Sequence, residues 1–65
     1  MKLEIGDRVE VFHETLKTVC YGLGTIEDIG HYFGGTLVYF VRVDAFPNRV
    51  GSYTRRQLKK VREGS

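Results

Sequence analysis

The chain has no tryptophan, one proline, one methionine and a single cysteine, Cys20. One thiol has no intramolecular partner, so a disulfide scaffold is excluded and a reducing, cytoplasmic setting is expected. Long hydrophobic runs are missing too. The longest centres on Leu37–Val41, far short of the roughly twenty residues that a membrane-spanning helix needs. Met1–Val11 carries charges throughout and has no apolar stretch, so no secretory leader is expected. Apolar residues at helical spacing are almost absent, which argues against a helical bundle.

What is present is 65 residues, 42% apolar and 28% charged, a globular composition with room for one domain. Residues 1–65 are read as that single domain, with a core spanning about 3–62. A chain this small buries only about 60% of its unfolded surface, so its core must be compact or it must self-associate. Multidomain enzymes are excluded by size alone.

Alternation with a period of two dominates. Arg8-Val9-Glu10-Val11-Phe12 alternates polar and apolar, as a half-buried strand does. Gly6-Asp7 marks a turn before it, with Leu3 and Ile5 expected to cap one end of the core. His13–Gly22 has no clean period and reads as a long loop. Gly22-Leu23-Gly24 opens a second strand, Thr25–Ile29, with Ile26 facing inward and Gly30 closing it; His31–Gly35 forms the next loop. Leu37–Val43 is rich in β-branched and aromatic residues and reads as a central strand. Leu37, Tyr39, Val41 and Val43 share one face of it, and Val38, Phe40 and Arg42 the other. Pro47-Asn48 turns the chain into a fourth strand, Arg49–Thr54. A 3₁₀ turn is expected at Arg55–Leu58, before a last strand near Lys59–Arg62. Five short strands with glycine-rich turns predict an all-β fold closed into a small barrel, which removes exposed sheet edges.

The charge is unevenly distributed. Residues 1–33 hold Lys2, Arg8 and Lys17 against Glu4, Asp7, Glu10, Glu14, Glu27 and Asp28, a net of −3. Residues 34–65 hold Arg42, Arg49, Arg55, Arg56, Lys59, Lys60 and Arg62 against Asp44 and Glu63, a net of +5. Clustering of that kind predicts an electropositive patch for phosphate or an acidic protein surface.

In its order of residues the chain resembles the SH3-like barrel group of SH3, Tudor and KOW-type modules. The likeness is carried by Gly-Asp-Arg-Val-Glu-Val at 6–11, Gly-x-Gly-Thr-Ile at 22–26, Tyr-Phe-Val-Arg-Val-Asp at 39–44 and Gln-Leu-Lys-Lys-Val at 57–61. The resemblance implies a five-stranded SH3-like barrel. Tudor-like modules of bacterial helicases and polymerase-associated regulators are the nearest likeness, and they contact RNA polymerase or a nucleic-acid machine. The Val11–Gly24 stretch is longer than in KOW modules and lacks their Lys-Gly pair, and the missing tryptophan departs from peptide-binding SH3 domains. A weaker resemblance, to the plasmid-borne type II dihydrofolate reductases, rests on the Gly-Asp-Arg-Val start and on Val50-Gly51-Ser52-Tyr53. It implies a reductase site built by oligomerisation, but the Gln and Ile of the reductase motif are replaced here.

Aromatic rings interleaved with arginines suit base stacking plus phosphate contact, and equally the hot spots of a protein interface. The expected binding residues are therefore Arg42, Arg49, Arg55, Arg56, Lys59 and Lys60 with Tyr21, Tyr32, Phe33 and Tyr53. Tyr39 is assigned to the core, and Phe12 and Phe40 to its edge or to an interface. His13, His31 and Cys20 have no cysteine pair beside them, so neither a metal site nor a cysteine nucleophile is expected. Cys20 is read as a small half-buried thiol. The reading is thus a non-catalytic binding module without cofactor, contacting nucleic acid or a nucleic-acid-handling protein. The alternatives are a protein-interaction adaptor of a phage or mobile element, and a homo-oligomer formed through the Leu37–Val43 face.

Overall fold

The computed structural model describes residues 2–16, 18–31 and 34–61. They form five strands: β1 (Arg8–Phe12), β2 (Cys20–His31), β3 (Leu37–Val43), β4 (Gly51–Tyr53) and β5 (Leu58–Lys60). One 3₁₀ turn, Arg55–Gln57, separates β4 from β5. Every pairing is antiparallel, and the order across the sheet is β4-β3-β2-β1-β5. Among these residues no helix is long and apolar enough to cross a membrane.

Strands β1 and β3 lie where alternation and β-branching place them. Val9 and Val11 of β1 face inward. Tyr39, Val41 and Val43 do so on β3, and all five join one core with Leu3, Ile26 and Leu58. Ile29 and Tyr53 pack against it. Val38 is also buried, at 1% exposure, but stands outside that cluster. It shares the opposite face of β3 with half-buried Phe40, so both faces of this strand are covered. Leu37 is exposed despite sharing the parity of the core residues, and Ile5, 62% exposed, does not cap the core as Leu3 does.

β2 is twelve residues long, far longer than the Thr25–Ile29 expected. The glycines that read as its boundaries lie inside it. Residues 20–25 pair with β1, and 24–31 pair with β3. Gly22 (φ 109°) sits beside the register shift in the β1 ladder, a backbone state that side chains with a Cβ disfavour. Gly24 lies where β3 approaches so closely that a Cβ would sit 2.8 Å from the Arg42 carbonyl oxygen. These glycines shape a continuous strand and do not end it. The loop after β1 is accordingly shorter than expected, residues 13–19.

β4 is also shorter than Arg49–Thr54, and β5 begins one residue earlier than expected, at Leu58; Arg62 lies outside the described residues. The sheet is not closed by hydrogen bonds, because among the described residues no pairing joins β4 to β5. The four residues between them are wound into the 3₁₀ turn and its cap, which leaves both three-residue strands as sheet edges. Gln57 ties this turn across to β1. Its Nε2 donates to the Phe12 carbonyl at 3.1 Å, and its Oε1 accepts from the Thr54 N–H at 3.2 Å.

Candidate binding groove

At the end of the sheet where β1 stops and β2 starts, the β1–β2 loop comes close to the β3–β4 loop. The Asp44 N–H donates to the Leu23 carbonyl at 2.9 Å, which fixes the second loop against β2. Between them lies a groove of about 500 Å³, within the size range of ligand and peptide pockets. Core residues Val41 and Val43 form its floor, Tyr21, Phe46 and Tyr53 contribute rings, and Glu14 and Arg49 contribute charge.

Local sequence explains each wall. His13 organises the first loop: its Nδ1 accepts the backbone N–H groups of Thr15 (3.2 Å) and Leu16 (3.1 Å). An accepting Nδ1 puts the ring proton on Nε2, which remains a donor. The His13 N–H donates to the Val19 carbonyl, closing the loop. The His13 ring is tilted against Tyr21, with centroids 6.2 Å apart. On the other wall, Phe46 is 51% exposed and the Arg49 guanidinium stacks over it at 5.4 Å, a cation–π contact. Gly51 sets the pose of Tyr53. A Cβ at position 51 would lie 2.6 Å from the Tyr53 hydroxyl oxygen, so the tyrosine lies back over its own strand only because that side chain is absent.

The expected binding residues divide into separate groups. Tyr21, Arg49 and Tyr53 come together in the groove. Tyr32 and Phe33 lie outside the described residues. Arg42 stands elsewhere, in an ion pair with Glu27 (2.5 Å), and donates to the Pro47 carbonyl at 2.6 Å. The hydrogen bond from the Arg42 guanidinium to Glu27 holds the Glu27 carboxyl below its ordinary pKa and the Arg42 guanidinium above its own. Lys60 pairs with Asp7 at 3.5 Å, and Lys59 stands directly across the ladder from Glu10. Arg55 donates to the Leu58 carbonyl at 2.9 Å, while Arg55 and Arg56 are exposed on the 3₁₀ turn. Arg42 and Lys60 of the basic second half are thereby paired with carboxylates of the first half, and of the expected set Tyr21, Arg49 and Tyr53 line the groove.

Groove residues that the sequence does not mark as binding residues include His13, Glu14, Phe46, Gly51, Ser52 and Gln57. Phe46 carried a usable signal, an aromatic residue beside the Pro47-Asn48 turn. His13, weighed only as a metal ligand or base, acts instead as a loop anchor. Cys20 is exposed, not half-buried, and its Sγ accepts the Gly22 N–H at 3.4 Å. His31 sits at the far end of β2.

No protein-family model, no curated protein and no solved structure matches the chain.

Proposed function

We propose that this chain is a non-catalytic binding module with an SH3-like barrel architecture, and that it engages a partner protein through the groove between its β1–β2 and β3–β4 loops. The strand order, the 3₁₀ turn between the edge strands and the single core support the architecture. The observation that carries the function is the groove itself. Three aromatic rings stand over a floor of core valines, flanked by one carboxylate and one guanidinium. Exposed rings and arginine around an apolar floor are the composition of a protein hot spot.

A photo-crosslinking side chain in place of Tyr21 tests this in the native host. The expected product is a protein adduct that survives nuclease treatment and is absent when the crosslinker replaces Lys59. Equal adducts from both positions, or an adduct to nucleic acid from position 21, would refute it.

A second reading, contact with nucleic acid, is favoured by Arg49 stacked on Phe46 in the groove and by Arg55 and Arg56 exposed on the neighbouring turn. It predicts anisotropy-detected binding of single-stranded probes at low salt that falls steeply as salt rises. Absence of low-salt binding sinks it.

A further inference from the structure

The groove has two charged walls of opposite sign. Glu14 stands on the β1–β2 loop and Arg49 on the β3–β4 loop, with Val41, Val43 and the three rings completing the lining. Away from the groove, six of the described charges pair with one another, as Arg8–Asp44, Arg42–Glu27 and Lys60–Asp7. Among the described residues neither Glu14 nor Arg49 enters an ion pair, and the Arg49 guanidinium rests on the Phe46 ring. Both loops are held by backbone hydrogen bonds: His13 N–H to Val19 carbonyl, Val19 N–H to Leu16 carbonyl, and Arg49 N–H to Phe46 carbonyl. The two charges are therefore presented on ordered backbone, on either wall of an apolar floor.

We propose that the occupant of the groove is an extended peptide segment of a partner protein, in which an apolar anchor residue is set between a basic and an acidic residue. This rests on the protein-binding reading above. The anchor packs among the Tyr21, Phe46 and Tyr53 rings above the buried valines, the basic residue meets Glu14, and the acidic residue meets Arg49. The His13 Nε2–H is left as a donor for a peptide carbonyl. A nucleic-acid strand fits this charge pattern poorly, since a strand spanning both loops gains at Arg49 but sets phosphate against Glu14. Opposite charges on the two walls also give the segment a direction, because the reversed segment meets two like-charge contacts.

The test pans a random dodecapeptide phage library against the full chain and against Glu14→Arg, Arg49→Glu, the double charge reversal, and Tyr53→Ala. All four variants are kept only if circular dichroism shows a wild-type fold. Wild-type clones are expected to share an apolar anchor with a basic residue on one side and an acidic one on the other. Each single reversal abolishes one flanking preference, and the double reversal selects the opposite order of charges. A synthetic peptide from the best wild-type clone is expected to bind either single reversal about tenfold more weakly. Clones with an anchor but indifferent flanks would overturn this proposal and leave the groove reading standing. Clones enriched equally on Tyr53→Ala would overturn the groove reading itself. Binding of oligothymidylate without any peptide enrichment would make nucleic acid the occupant. A dimer in sedimentation that Arg49→Glu breaks would make it a second copy of this chain.

Discussion

Gly24→Ala is the sharpest test of the close β2–β3 approach. An alanine Cβ there would lie 2.7 Å from Val41 Cγ1, 2.8 Å from the Arg42 carbonyl oxygen and 3.1 Å from Val43 Cα. Comfortable contacts between such atoms are about 3.5–4.0 Å. Two of the three obstacles are backbone atoms of β3, which cannot rotate away, so the ladder between the strands must open at its Gly24–Val43 end. Overpacking a core costs about 1–3 kcal/mol, and the strained ladder puts this substitution at the upper end, about 3 kcal/mol. A 65-residue domain has only about 3–10 kcal/mol of stability in total. The melting temperature should fall by about 12–24 °C, at about 4–8 °C per kcal/mol for a domain of this size.

Thermal and urea unfolding followed by circular dichroism measure this, and two other glycines calibrate it. Gly22→Ala meets open space but a φ of 109°, which costs about 1–2 kcal/mol through backbone strain alone. Gly30→Ala meets only the Phe40 ring at 3.2 Å, a side chain that can shift, so its cost stays below about 1 kcal/mol. Adding Val41→Ala to Gly24→Ala removes the nearest contact but neither backbone one, so stability does not return. A Gly24→Ala protein that melts within a few degrees of wild type, or a double variant restored to wild-type stability, refutes the reasoning.

Three further outcomes follow from the same geometry. Gly51→Ala displaces the Tyr53 ring, whose hydroxyl is 2.6 Å from the new Cβ; groove binding should weaken while stability changes by no more than about 1 kcal/mol, because the ring can swing aside. Gln57→Ala removes the hydrogen bonds to the Phe12 carbonyl and the Thr54 N–H, and urea unfolding should show a loss of about 1–2 kcal/mol. The carboxyls of Glu27 and Asp44 are held below their ordinary pKa by hydrogen bonds from Arg42 and Arg8. Their stabilisation is therefore present above the unfolded-state pKa and lost as pH falls through the lower folded value. Glu27→Gln with Asp44→Asn should flatten the acid limb of stability against pH, and an unchanged limb would contradict it.

How much of this is readable from sequence depends on what each segment's signal measures. Arg8–Phe12 and Leu37–Val43 are readable because period-two patterning and β-branching report burial on a pleated surface, and those strands are central. β2 is misread because glycine has two meanings: a place where a strand ends, or a place where a neighbouring strand comes too close for a Cβ. Only the partner distinguishes them, and for Gly24 the partner is β3, about eighteen residues away in sequence. The edge strands are misread at their ends because three-residue strands carry too few positions for a pattern to emerge. The groove was half-legible. Tyr21, Arg49 and Tyr53 belong to residue types that interfaces favour, whereas Glu14 and Phe46 acquire their role only when the two loops meet.

The charge asymmetry shows the same limit most directly. Counted along the chain, it predicts an acidic half, a basic half and a patch for phosphate. In three dimensions the antiparallel sheet sets segments from opposite halves side by side, so Glu27 meets Arg42, Asp7 meets Lys60, Glu10 faces Lys59, and even Arg8 finds Asp44. These pairs are exposed enough that each adds little to stability, but Arg42 and Lys60 each meet a carboxylate of the first half and do not stand as isolated charges. The charges that line the groove are Glu14 and Arg49, and neither has an ion-pair partner among the described residues. A net charge of +2 thus says less about the partner than the placement of these two residues of opposite sign, which discriminates among ligands by the pattern of charge along them.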